Sequence, residues 1–362
     1  MKKEKLIIFC GIILWLVSCR ETPTIPTDSH LTFPQGLYIL NEGNMGSNKA
    51  TIDFYDIAAD SITRDIYPTV NPNVVKELGD VGNDIAIYGS KMYIIINASG
   101  KVEITDKQCR RITQVNIPNC RSLCFNGDYA YVTSYAGPID YSNPNYKQRG
   151  YVAKLDTATL AITDTCLVGF QPNSITTDGK YLYVTNSGGY MAPNYDSTLS
   201  VISLASFKEE KRITIAENLD AVIYDSVNNA LFITSLGNYS DIRAMLYRLD
   251  LQSGKSQALG FAATKLFLNE NKLYYYSSDY NSTTEYGILN TETLQRESLI
   301  LSGKSDIRTP YCLFIEKASG DIYITDARDY VTPGVLYRYK NDGTLISRHR
   351  TGDIPGHIVL RN

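Results

Sequence analysis

The chain has 362 residues, of which 43% are hydrophobic and 11% aromatic, and a formal net charge of −3. A mildly acidic body without a basic run argues against nucleic acid or an anionic lipid surface as the main ligand. The cysteines show no metal spacing with any of the three histidines, His30, His349 and His357, so they read as buried thiols.

At the N-terminus Lys2, Lys3 and Lys5 precede an apolar run over 6–17. That run is shorter than the ~20 residues of a membrane-spanning helix, so residues 1–18 are expected to be an export signal. It closes on Leu16-Val17-Ser18-Cys19, which resembles the lipobox of bacterial lipoproteins and implies lipidation of Cys19. Residues 19–34, rich in Thr and Pro, read as a flexible tether. Residues 35–362 form the folded domain.

That domain repeats one short strand. The copies are GLYILNE (36–42), SKMYIII (90–96), DYAYVTS (128–134), KYLYVTN (180–186), NALFITS (229–235), NKLYYYS (271–277) and GDIYITD (320–326). Each centres on an aromatic: Tyr38, Tyr93, Tyr131, Tyr183, Phe232, Tyr274 and Tyr323. Strand signals at a period of roughly 40–50 residues mark the blades of a propeller. The expected fold is therefore all-β, a seven-bladed β-propeller of four-stranded antiparallel blades. The first repeat lacks an inner strand, and residues 354–362 carry the missing pattern, so the C-terminal strand should complete the first blade and close the ring.

Short turns such as Asp178-Gly179-Lys180 lie at one end of each blade, and long loops at the other. Long loops on a rigid scaffold carry function more often than stability. They gather Tyr135, Tyr141, Tyr146, Tyr190, Tyr195, Tyr239, Tyr280 and Tyr330 on one rim, with Asn41, Asn186 and Arg328 as hydrogen-bonding companions. Tyrosine offers a flat apolar surface with a polar tip, so the rim suits a corrinoid, a glycan or a peptide. Axial positions are expected at Asn83, Arg121, Asn173, Asp220, Thr264, Tyr311 and Gly356, either to ligate a cation or to solvate a channel. Enzyme motifs are lacking: there is no nucleophile elbow, His-Glu-x-x-His or phosphate loop. Loop carboxylates Glu42, Asp279 and Asp329 have no evident pairing in sequence. The chain is therefore expected not to be an enzyme, and to need no cofactor or metal.

GLYILNEGNMGSNKATIDFYD (36–56) after a lipobox and short tether resembles the YncE-like, domain-5074 surface propeller lipoproteins of gut Gram-negative bacteria. The likeness extends to the BtuG-type lipoproteins, which capture cobalamin above a TonB-dependent transporter. The resemblance implies a lipid-anchored outer-membrane protein facing the cell exterior, with cobalamin as transported ligand and such a transporter as partner. The alternatives are a glycan-binding lipoprotein of a polysaccharide-uptake system, and a lactonase-like propeller hydrolase with an axial cation.

Overall fold

Successive side chains of a β-strand point to opposite faces, and in the repeated strand both faces are apolar. Each copy therefore needs a neighbour on either side. The computed structural model describes residues 32–74, 77–140, 142–143, 146–278 and 284–362, and it meets that need with seven four-stranded antiparallel sheets. The export signal and Cys19 lie outside the described residues.

The fourth blade shows the plan: Pro172–Thr177 innermost, then Tyr181–Asn186, Thr198–Ser203 and Lys208–Thr214 at the rim. The other inner strands are Gly82–Tyr88, Cys120–Asn126, Leu219–Asp225, Lys265–Asn269, Pro310–Ile315 and Pro355–Arg361. The last of these completes the first blade, as the sequence pattern requires. It pairs with Gly36–Asn41, placing Leu360 opposite Leu37 and Ile358 opposite Ile39. The result is a seven-bladed β-propeller whose ring is closed by its C-terminal strand.

The hydrophobic core is not central. It is divided among the blade–blade interfaces, one cluster to each. Tyr38 and Leu40 pack with Ile85, Met92 and Ile94 of the second blade, while Leu37 and Ile39 turn to Tyr323 and Leu336 of the seventh. The parity holds throughout, and the central aromatic of every copy faces the following blade. Fully burying a side chain of this size contributes about 1.5–3 kcal/mol, so the repeat is itself the source of cohesion.

Two features depart from the sequence reading. Phe33, assigned to the tether, is buried against Tyr38 and Phe54 with ring centroids 5.9 and 4.7 Å away, and its N–H donates to Gln108 Oε1 at 2.6 Å. A short helix, Ile66–Val70, interrupts the first crossover. It buries Ile66 and Tyr67, whose hydroxyl donates to Glu103 at 3.0 Å. Cys109, Cys120, Cys124, Cys166 and Cys312 are free thiols. Among the described residues no helix is long and apolar enough to cross a membrane.

The seam between the seventh and first blades carries polar bonds besides its apolar cluster. Asp60 Oδ1 accepts from Tyr55 Oη and Ser347 Oγ, each at 2.6 Å, and meets His349 Nε2 at 2.9 Å. Arg338 donates to Tyr55 Oη at 3.1 Å and to the Ile57 carbonyl at 3.0 Å. Partial burial opposes ionisation of Asp60, but the bonds from Ser347, Tyr55 and His349 outweigh it and lower the carboxyl to about 2. A carboxylate depressed on folding stabilises above its unfolded pKa of about 4 and loses that contribution as pH falls through the folded value. Asp60→Asn should therefore lower the melting temperature at pH 6, and the gap to the parent protein should narrow between pH 4 and 2. Thermal melts across that range test this; identical melting at pH 6 would show that the bonds add nothing.

Candidate functional site

Where the inner strands reach the loop-bearing face, six of the seven slip register against their neighbours. Lys265–Asn269 alone pairs without a shift. The slip leaves Asn83, Arg121, Asn173, Asp220, Tyr311 and Gly356 outside the pairing register. A bulge of this kind re-aims a side chain. It also frees a backbone N–H, and a buried N–H needs a partner.

The repeated strand supplies one. Thr133, Thr185, Thr234 and Thr325 accept from the N–H groups of Ser122, Ser174, Ala221 and Cys312 at 2.8–3.0 Å. Three of these hydroxyls also reach the next blade, donating to the carbonyls of Asn173, Asp220 and Pro355 at 3.2, 2.7 and 2.6 Å. In the sixth blade Tyr276 occupies the same place, and its hydroxyl donates to the Pro310 carbonyl at 2.9 Å. Each threonine lies two residues after the central aromatic, so strand parity points it at the following blade. The T of YVTS, YVTN, FITS and YITD is the sequence signal for this bridge, and the sequence reading passed over it.

The re-aimed residues meet at the axis. Arg121 donates from Nη1 to Asn83 Oδ1 at 2.8 Å and from Nε to Asn173 Oδ1 at 3.2 Å. Asn173 passes the chain on to Asp220. Gly356 leaves room for the Glu42 carboxylate, because a Cβ there would lie 2.5 Å from Glu42 Oε1. Glu42 accepts from Tyr311 Oη at 3.0 Å, and Lys265 Nζ lies 5.8 Å from the Tyr311 ring centre. His357 stands 3.8 Å from both Glu42 and Asp84. Thr264 instead bonds its own blade, accepting from the Ser278 N–H at 2.9 Å.

Burial governs the protonation of this cluster. It raises the carboxyl of Glu42, with Lys265, the Tyr311 hydrogen bond and Arg121 working against it. Burial also raises Asp84, opposed by bonds from Leu123 and Ser122. His357 is lowered by burial and by the charges of Lys265 and Arg121. For Arg121 burial opposes the charge, but Tyr135, Tyr190, Glu42 and Asp220 around it more than offset this. Among the described residues no group of three or more His, Cys, Asp or Glu side chains is arranged to hold a metal ion.

The loops above the axis are held by amide side chains immediately before the inner strands. Asn119, Gln171 and Asn218 adopt left-handed backbone, with φ of 48°, 48° and 56°. Asn119 and Asn218 donate to the carbonyls of Gly137 and Gly237 at 3.0 and 3.1 Å, and Gln171 Oε1 accepts the Tyr190 N–H at 2.8 Å. Asparagine tolerates this conformation and binds local backbone. A polar residue in that position was a signal available in the sequence.

The rim residues expected from sequence do not share one environment. Tyr190 (47% exposed) and Tyr239 (69%) stand on the surface in edge-to-face pairs with Tyr135 and Tyr195, centroids 6.3 Å apart in both. Tyr330 is exposed beside Tyr311 at 5.8 Å, and Arg328 is exposed on the same loop. Tyr135 is a floor residue rather than a rim residue: it is buried, its hydroxyl donates to Asn173 at 3.2 Å, and Arg121 covers its ring at 5.3 Å. Tyr146 bonds within its own loop, to Gln148 at 3.0 Å.

Asn41 and Asn186 differ from expectation. Both are fully buried: Asn41 donates to Thr51 in its own blade, while Asn186 donates to Thr198 and Ser200 of its own blade and accepts the Gly169 N–H of the third. Strand alternation places them on the opposite side of the sheet from the central aromatic, toward the preceding blade. Tyr141 and Tyr280 lie outside the described residues. Between Tyr190, Met45 and Pro138 the face sinks into an open depression of about 420 Å³, with Tyr135 and Arg121 at its base.

Residues 35–189 match the family described as "Domain of unknown function (DUF5074)". No curated protein sequence matches the chain. A quinonprotein alcohol dehydrogenase-like protein from Bacteroides thetaiotaomicron superposes with a TM-score of 0.65 at 14% identity, over 90% of this chain and 78% of that one. A periplasmic gluconolactonase from Pseudomonas aeruginosa gives 0.62 at 11% identity, over 91% and 99%. Hydrazine synthase of Kuenenia stuttgartiensis gives 0.61 at 15%, over 76% and 88%. At such identities the likeness is one of fold.

If the threonine bridges hold the axial ring in place, Thr185→Val should cost about 1–3 kcal/mol, because it leaves the Ser174 N–H and the Asp220 carbonyl short of a partner. Thr185→Ser should recover most of the loss. Urea titration of the two variants checks this, and equal stability of Thr185→Val and the parent would count against the bridge.

Proposed function

We propose that this chain is a non-catalytic capture protein that binds a large polar ligand across its loop-bearing face, with a corrinoid such as cobalamin as the leading candidate. The observation that carries the reading is the assembly of that face. Exposed tyrosines stand on loops of the fourth, fifth and seventh blades, and beside Tyr190 the face opens onto a charged, hydrogen-bonded floor. Flat aromatic surface with polar tips gives contact area at low entropic cost, and a charged floor offers partners to amide and phosphate groups. A ligand lying across several blades would engage Tyr190, Tyr239 and Tyr330 together with Arg328.

In this reading Cys19 carries lipid and tethers the propeller to the outer membrane, on the exterior side. There it passes its ligand to a TonB-dependent transporter. The lipobox and the tether in the sequence support this placement. A Cys19→Ala protein should leave the membrane fraction; unchanged retention would overturn the anchor.

The binding reading is tested by calorimetric titration with cyanocobalamin and then with a panel of oligosaccharides. Anchoring aromatics in an interface cost ~2 kcal/mol or more when truncated. Tyr190→Ala and Tyr239→Ala are therefore each expected to weaken binding at least about tenfold. Saturable binding of an oligosaccharide alone would move the ligand class to glycans. Tight corrinoid binding untouched by both substitutions would remove the ligand from this face.

A further inference from the structure

Arg121 is a partly buried cation whose two described hydrogen-bond acceptors, Asn83 Oδ1 and Asn173 Oδ1, are neutral amides. Among the described residues it forms no ion pair, and the carboxylate of Asp220 is reached only through the Asn173 amide. Amide dipoles hold the guanidinium in place, but they do not neutralise it. The carboxylates of Glu42 and Asp220 act on it without touching it, and a part-buried charge with no carboxylate in direct contact is costly. The cost is tolerable because the side chain reaches the base of the 420 Å³ depression, where it can meet an anion from outside.

The depression is shaped for more than a bare ion. Its walls are apolar at Met45, Pro118, Pro138 and Ile139, with the Tyr190 ring beside them. The Tyr135 ring beneath Arg121 stands edge-to-face to that of Tyr190 at 6.3 Å. Lys265, on the inner strand of the sixth blade, forms no ion pair among the described residues and adds a second positive charge to the axial cluster. A planar guanidinium suits the paired oxygens of a carboxylate or a phosphate.

From this geometry we infer that the mouth beside Arg121 is a binding site for an oxyanion carried on a flat apolar body, an aryl carboxylate or an aryl phosphate. The inference deepens the capture reading by naming the group seated at the axis, and it rests on the loop-bearing face being the binding face. Arg121 receives the oxyanion, and Tyr190 with the apolar wall receives the ring.

The test uses the full chain and three probes of one shape: benzoate, phenyl phosphate and the neutral benzamide, titrated by calorimetry. At least one of the two anions should bind ten or more times more tightly than benzamide, and which one does so distinguishes carboxylate from phosphate. Arg121→Gln should abolish that preference, and Tyr190→Ala should weaken all three probes together. Equal binding of benzamide and both anions, absence of saturable binding by either anion, or an unchanged preference in Arg121→Gln would each overturn the inference. The comparison in the parent protein decides the matter even if Arg121→Gln fails to fold. The capture reading is scored separately. Loss of corrinoid binding in the tyrosine variants without any anion preference sinks this site alone. An anion preference without corrinoid or glycan binding sinks the choice of ligand and leaves the site standing.

Discussion

The axial end of this propeller depends on one exchange of hydrogen bonds between neighbouring blades. A bulge frees an N–H near the start of an inner strand, and a threonine hydroxyl of the adjacent strand takes it up. The same hydroxyl reaches the following blade at three of four positions. Without a partner the freed N–H would penalise the bulge by about 1–3 kcal/mol. With one, the bulge is stable, and the next side chain can be aimed at the axis. The polar ring therefore exists because the apolar repeat includes one hydroxyl at the right parity.

The loops follow the same economy. Asn119, Gln171 and Asn218 each combine a left-handed backbone with an amide side chain that holds loop backbone above it. The turn into the inner strand and the placement of the loop thus use a single residue. Surface tyrosines are held by backbone bonded to the scaffold, a form of preorganisation that lowers the entropic cost of binding. Rim and ring are coupled physically, since Tyr135 donates to Asn173 and lies beneath Arg121.

The charges at the axis oppose one another without cancelling locally. Arg121 and Lys265 face Glu42, Asp84 and Asp220, yet the close contacts run mostly through neutral groups: Asn83, Asn173, Tyr311 and Ser122. Such an arrangement keeps buried charge hydrogen-bonded while leaving it able to respond to a ligand. It contrasts with Glu103 near the second blade's rim, which is closed off by Lys101 and Arg111 at 2.9 and 2.7 Å. Glu103 is a finished structural ion pair, and the axial cluster is not.

The sequence by itself determined the blade count, the four-stranded blades and the closure by a strand within residues 354–362, because these follow from periodicity and strand alternation. The same local pattern showed that the tyrosines of the repeated strand are core. It did not separate Tyr190 and Tyr239, which are exposed, from Tyr135, which is floor, nor show that Asn41 and Asn186 are buried. Those distinctions belong to tertiary structure, since a loop residue's depth depends on where the next blade's loop crosses it. Packing also drew Phe33 into the first blade and placed a helix in the first crossover. The seven inner strands were legible as axial, but the Arg121–Asn173–Asp220 chain was not. Its members lie about fifty residues apart, one to a blade, and only the packing of successive blades about the axis brings them within hydrogen-bonding distance.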